Sequence, residues 1–206
     1  MNRVIALAAL IGLAMLGGCR TAPVAPAKIL GPGAGAPWSE QRAALEKVDR
    51  YALAGKVAVA ANGQGFSASL RYDQQPARAD LALDGPLGIG GLRVALAGED
   101  LEITNSKGET LDGVAARAEL ERRLGFELPL DQLRWWLLGL PAPGASTLDL
   151  EPVTGEIRGF MQNGWRVAIN TRAPALGFSL PQRLTAERGG GVQGGARLKL
   201  FVERWE

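Results

Sequence analysis

From residue 38 onward, apolar side chains recur at every second position far more often than every third or fourth. Leu53, Gly55, Val57 and Val59 share one face of a predicted strand over 53–60. In 65–73, Phe66, Ala68, Leu70 and Tyr72 face one way and Ser67, Ser69 and Arg71 the other. Ala79, Leu81 and Leu83 repeat the alternation against Asp80 and Asp84, Leu92, Val94 and Leu96 repeat it against Arg93, and Leu101 and Ile103 form a shorter piece. Later strands are predicted over 147–150, 155–162, 182–188 and 196–205, with a returning strand on Trp165, Val167 and Ile169 after the hairpin pair Asn163-Gly164. The segments lie about ten residues apart with turn residues between them, the spacing of an antiparallel meander.

Three stretches break that rhythm. A helix is predicted within 38–51, with Ser39 as cap and Leu45 and Val48 on its buried stripe. A second covers 114–124, with Ala116, Leu120 and Leu124 at four-residue spacing and Gly125 to end it. A third covers 129–138, with Pro129 in its first turn, Leu130, Leu133 and Leu137 on one stripe, and Gly139 and Pro141 closing it. The adjacent Trp135 and Trp136 point about 100° apart on such a helix, so one is expected inside and the other part-exposed. The body, 38–206, thus reads as one mainly β domain with about eleven strands and three helices. Three helices are few for the apolar face of so large a sheet. The sheet can curl into a filled barrel, or it can leave room for an apolar ligand, and the pattern alone does not choose.

The first 37 residues follow different rules. Arg3 and the apolar run Val4–Leu16 have the charge and length of a secretory signal and are too short for a bilayer span of about 20 residues. The run ends in Leu16-Gly17-Gly18-Cys19, which resembles the bacterial lipobox. That resemblance implies cleavage of a signal peptide over 1–18 and an N-acyl diacylglycerol on Cys19. Residues 20–37, with four prolines and three glycines, are expected to be a flexible tether, with a coil span of roughly 20–25 Å.

Composition narrows the chemistry. The 206 residues include no histidine and a single cysteine, so His-based nucleophile pairs, His zinc sites, internal disulfides and CxxC centres are all excluded. A formal charge of +2 is too balanced for a nucleic-acid binder that relies on a net positive field. The glycine-rich run 85–91 lacks the Lys-Ser/Thr and the helix of a phosphate loop; it reads either as a plain strand connection or, through Leu87 and Ile89, as an exposed apolar tip suited to lipid. The carboxylate groups Glu99/Asp100/Glu102 and Asp149/Glu151 read as solvated faces, as does the Arg122-Arg123 pair.

Taken in order, several pieces resemble the LolB family of outer-membrane lipoproteins: Trp38, the strand GFSASLRY, Asp84-Gly85-Pro86-Leu87-Gly88, Leu128-Pro129-Leu130, LRWWLLGLP over 133–141, Gln162-Asn163-Gly164-Trp165, Leu180-Pro181 and the closing Trp205. The resemblance spans the mature chain, with Tyr72 standing where family members often carry tryptophan. It implies an antiparallel half-barrel lidded by helices over a hydrophobic cavity, and so favours the roomy alternative. It implies a monomeric receptor, with no enzyme activity, metal or cofactor, held by lipid in the inner leaflet of the outer membrane and facing the periplasm. Its partners would be the soluble carrier LolA, acylated lipoprotein cargo and outer-membrane phospholipid. The loop Gly85, Pro86, Leu87, Gly88 would meet the membrane, with Leu87 entering it. The cavity wall would fall to Phe66, Ala68, Leu70, Leu81, Leu83, Val94, Leu133, Trp136, Leu137 and Val167, and a dry, apolar pocket of several hundred Å³ opening near Leu87 would nearly settle the class. Two other classes make contrary demands. A soluble carrier of the same fold would need no lipobox, and a lipid-anchored carboxylate hydrolase would need a carboxyl of raised pKa in a cleft.

Overall fold

The computed structural model describes residues 30–85, 91–189 and 195–206. The expected signal peptide, Cys19, most of the tether and loop residues Pro86, Leu87 and Gly88 lie outside these. Eleven strands form one antiparallel sheet: β1 (Tyr51–Ala61), β2 (Gln64–Gln75), β3 (Arg78–Asp84), β4 (Leu92–Ala97), β5 (Asp100–Thr104), β6 (Thr110–Asp112), β7 (Thr147–Leu150), β8 (Ile157–Gln162), β9 (Trp165–Ala175), β10 (Phe178–Arg188) and β11 (Ala196–Trp205). Their spatial order is β6-β5-β4-β3-β2-β1-β11-β10-β9-β8-β7. Every neighbour is sequential except β1 and β11, which join the two ends of the body at the sheet's centre. The edge strands β6 and β7 do not pair with each other, so the sheet stays unclosed.

Hairpin chemistry sets the register. Asn62-Gly63 and Asn163-Gly164 both take left-handed backbone angles (φ 51° and 76°, 48° and 76°), the pattern of a two-residue turn whose twist matches the strands it joins. A third turn does the same with Leu176-Gly177 (φ 52° and 81°), although leucine is disfavoured there. The alternation in β1 and β2 buries Leu53, Val57, Val59, Ala68, Leu70 and Tyr72, and leaves Lys56, Ser67, Ser69, Arg71 and Asp73 exposed. Gly55 keeps its place on the inner row because a Cβ there would run into the Phe201 carbonyl oxygen, beside a register shift in the β1–β11 ladder.

The helices are α1 (Trp38–Leu45), α2 (Gly113–Leu124) and α3 (Leu130–Leu137). Helix α1 is shorter than the stretch that contained its prediction. It starts directly after Pro37, Ser39 lies inside it with no capping bond, and Tyr51 already belongs to β1. Strand β6 escapes a reading by alternation, because all three of its residues are exposed. Of the expected tether, the described residues 30–37 dock on the body. The amides of Leu30 and Gly31 donate to the Leu176 carbonyl (2.8 and 3.0 Å), and Gly33 donates to Gly177 (2.8 Å). Gln41, buried on α1, donates to the carbonyls of Ala34 and Ala36 and accepts from the Ser179 amide. Pro/Ala/Gly composition carries no periodicity that could betray such docking through backbone amides.

Candidate functional site: an apolar cavity beneath two helices

Helices α2 and α3 lie across the inner face of the sheet. The leucine stripe of α2 (Leu120, Leu124), the linker residue Leu128, and Leu130, Leu133, Trp136 and Leu137 of α3 face β1–β4, β10 and β11. Between them remains a cavity of about 90 Å³. The eighteen described residues that line it include no Asp, Glu, Lys or Arg. The two polar atoms its wall could offer are already engaged: the Tyr72 hydroxyl donates to Gln74 Oε1 (2.6 Å) and the Trp136 indole to Gln162 Oε1 (3.0 Å). A surface so lined gains nothing from water and gains about 25 cal/mol per Å² from apolar contact.

The structure places Leu70, Leu81, Leu83, Val94, Leu133, Trp136 and Leu137 on the cavity wall. Three other expected residues lie elsewhere. Half-buried Phe66 sits at the far end of β2, beside Arg122, Arg123 and Gly125 at the end of α2. Ala68 is buried against Gly85, where a Cβ would lie 3.3 Å from the Ala68 methyl. Val167 pairs across strands with Phe160 and Ala186, under solid packing. Leu184 and Ala186 of β10 and Leu198 and Leu200 of β11 complete the wall, beyond the residues expected there. The same alternation in 182–188 and 196–205 could have found them. At about 90 Å³ the cavity is smaller than the several hundred Å³ that would nearly settle the class.

Beside the cavity, an aromatic corner holds α3 in place. Trp136 packs edge-on against Phe160 and Trp165 (ring centroids 6.2 and 6.0 Å), and Trp165 packs against Phe126 (5.5 Å). Trp136 is buried and Trp135 half-buried, the expected division of the tandem pair. Gln162 serves three groups: it accepts from the Trp136 indole and the Ala142 amide (2.9 Å) and donates to the Ala142 carbonyl (2.8 Å). Gly139 turns the chain after α3 at φ 77°, where a Cβ would crowd Pro181 and the Arg172 guanidinium. Arg172, a buried cation that pattern reading missed, donates to the carbonyls of Ser179 and Ile157 (both 2.9 Å), pairs with Glu156 (2.9 Å) and stacks over Trp38 (4.6 Å). Burial lowers its pKa to about 10, so it stays charged at neutral pH. The motifs LRWWLLGLP, Gln162–Trp165 and Leu180-Pro181 therefore meet in space, and most of what they do is seat α3.

No group of three or more acidic or sulfur ligands with metal-binding placement occurs among the described residues. Both carboxyls whose pKa departs clearly move down: Glu119 to about 2 beside Arg122 and Arg123, and Glu151 through hydrogen bonds from Thr154 and Val153. Neither is the raised acid that a hydrolase site would need.

The sequence model of the family described as outer membrane lipoprotein LolB matches residues 49–205. The chain belongs to the LolB family. Among its relatives, an outer-membrane lipoprotein LolB from Stutzerimonas stutzeri is 30% identical over 194 residues, covering 93% of this chain and 90% of the relative. One from Chromohalobacter salexigens is 30% identical over 202 residues, covering 96% and 88%. Among solved structures, a LolA superfamily protein from Nitrosomonas europaea superposes with a TM-score of 0.51 at 10% identity (78% of this chain, 86% of that one). A DUF1329 family protein from Desulfovibrio piger reaches 0.53 at 7% identity (79% and 87%). At those identities the likeness is one of fold. Family membership and fold agree with the expectation of a mainly β half-barrel.

Proposed function

We propose that this protein is the outer-membrane receptor of lipoprotein localisation: it accepts acylated lipoproteins from the periplasmic carrier LolA and inserts them into the outer membrane. The observation that carries this reading is the carbon-lined cavity under α2 and α3, supported by membership of the LolB family. Acyl chains are the ligand chemistry that such a wall recognises, and each methylene moved out of water contributes about 0.8 kcal/mol. Because the cavity holds about 90 Å³, cargo enters as a helix lifts, and lining leucines exchange contacts with one another for contacts with the chain. Transfer needs no ATP under this reading, only a higher affinity for cargo than the carrier has. An N-acyl diacylglycerol on Cys19 anchors the protein to the inner leaflet of the outer membrane, facing the periplasm as a monomer, and the short tether keeps the cavity near the bilayer. Leu87 dips into the leaflet beside phospholipid and eases release.

The test is a transfer assay from carrier to liposomes of outer-membrane phospholipid. Leu87→Glu is expected to keep cargo binding and to lose delivery. Delivery at the wild-type rate would remove Leu87 from the mechanism, and failure of the wild-type protein to take cargo from the carrier would overturn the receptor reading.

A further inference from the structure

Among the described residues four glutamines are buried: Gln41, Gln74, Gln132 and Gln162. Three have both ends of the carboxamide engaged. Gln41 holds Ala34, Ala36 and Ser179, Gln74 holds the Tyr72 hydroxyl and the carbonyls of Gln75 and Arg78, and Gln162 holds Trp136 and Ala142. Gln132, in the first turn of α3 and 7% exposed, is different: its Oε1 is sealed from solvent and accepts no hydrogen bond. A buried carboxamide oxygen with no partner costs stability and returns nothing to the fold.

Gln132 borders a groove of about 690 Å³. The groove runs from the β4–β5 turn and the start of α2, across the linker Leu128-Pro129, to the β8–β9 hairpin and Arg188. Residues from both halves of the sheet border it, so it lies where the unclosed sheet curls toward itself. Leu128 and Leu130 line both this groove and the apolar cavity. A ligand with acyl chains in the cavity would therefore place its head in the groove, beside Gln132.

We propose that Gln132 reads the amide that joins an acyl chain to the cysteine nitrogen of triacylated cargo. This rests on the acyl-binding reading above. A carboxamide is the natural complement of an amide, since its oxygen accepts the N–H and its NH₂ donates to the C=O. Ester-linked acyl chains carry no N–H, so the contact separates the N-acylated cysteine from the diacylglycerol part of the same molecule and from phosphatidylglycerol esters. The desolvated acceptor gives the contact its discrimination, because a ligand without the donor leaves it unpaired.

The experiment uses the whole mature protein and two synthetic probes. One is a tripalmitoylated cysteinyl peptide, and the other is its isostere with an ester oxygen in place of the N-acyl N–H. Both compete with a fluorescent fatty acid. Wild type is expected to bind the amide about tenfold more tightly than the ester. In Gln132→Met, which keeps length and removes both polar atoms, the two probes are expected to agree within twofold, with a melting temperature no lower than wild type. Equal affinities in wild type, or tenfold discrimination surviving in Gln132→Met, would overturn the assignment. The wild-type comparison decides it even without the variant. If both probes bind equally, acyl binding stands and the amide contact falls; if neither binds, acyl binding falls first.

Discussion

Helices α2 and α3 cover the same cavity and are held by different forces. Helix α3 is tied by specific polar contacts at three places: the Tyr51 hydroxyl donates to the Arg134 carbonyl (2.6 Å), Arg134 Nη2 donates to the Val48 carbonyl (3.0 Å), and the Trp136 indole donates to Gln162. Helix α2 buries Ala116, Leu120 and Leu124, and among the described residues no side-chain hydrogen bond joins it to the sheet. Its one polar tie, from Asn62 Nδ2 to the Gly125 carbonyl (3.0 Å), lies just beyond its end. Apolar contact is non-directional and can be exchanged for contact with another apolar surface at little cost, whereas a buried hydrogen bond cannot. The fold thus has one helix fixed by polar ties and a cover held mainly by apolar contact, and under the proposed function it is the cover that can trade its contacts for an acyl chain.

The comparison breaks first at Trp136. Trp136→Ala removes the indole from Phe160, Trp165 and Gln162 together, so a loss of about 3–5 kcal/mol in denaturant unfolding is expected. A loss under 1 kcal/mol would mean that the aromatic corner does not hold α3. Next in size is Gln162→Leu, which strands the Trp136 indole N–H and both Ala142 backbone groups. About 2–3 kcal/mol is expected from unfolding curves. If the two helices are held as described, both substitutions weaken α3 and leave α2 unaltered in amide exchange.

Much of this was legible in the alternation along the chain. The inner rows of β1–β4, the Leu120/Leu124 stripe and the Trp135/Trp136 division all follow from periods of two and 3.6. The cavity's extent was legible only in part, because a void is a sum over side chains from eight elements and no single period reports a sum. Phe66 and Val167 have the right parity for the inner face and pair with the wall residues Val59 and Ala186, but Phe66 lies by the end of α2 and Val167 on β9, one strand outside the wall, and parity does not say where the wall stops. The polar anchors were hidden for another reason. Gln162, Arg172 and Gln132 are residue types expected at the surface, and only their partners, or the lack of one, give them meaning.

A filling substitution sharpens the distinction between cavity and corner. Ala186 is buried on the cavity wall, so Ala186→Leu places three more carbons where about 90 Å³ is free. Stability should change by less than about 1.5 kcal/mol in either direction. Binding of a fluorescent fatty acid should fall severalfold, since the added carbons occupy space that the ligand needs. Unchanged binding would place the ligand elsewhere.

The smallest effect concerns what stiffens the cover itself. On α2, Glu119 accepts from Arg122 and Arg123 at 2.7 Å, and these hydrogen bonds hold its carboxyl down at about 2. A carboxyl depressed in the folded state stabilises above its unfolded pKa of about 4.3, and the contribution disappears as pH falls through about 2. Arg122 is largely exposed, and solvent screening limits the gain to about 0.5–1 kcal/mol. Glu119→Gln should therefore lower stability by that amount at pH 7, with the two proteins converging as pH drops from about 4 to 2. All three residues lie on α2, so the substitution should fray the helix without changing how it seats on the sheet. Amide exchange would show faster exchange toward the C-terminal end of α2 and no change in α3; faster exchange in α3 as well would show that the two helices move as one body.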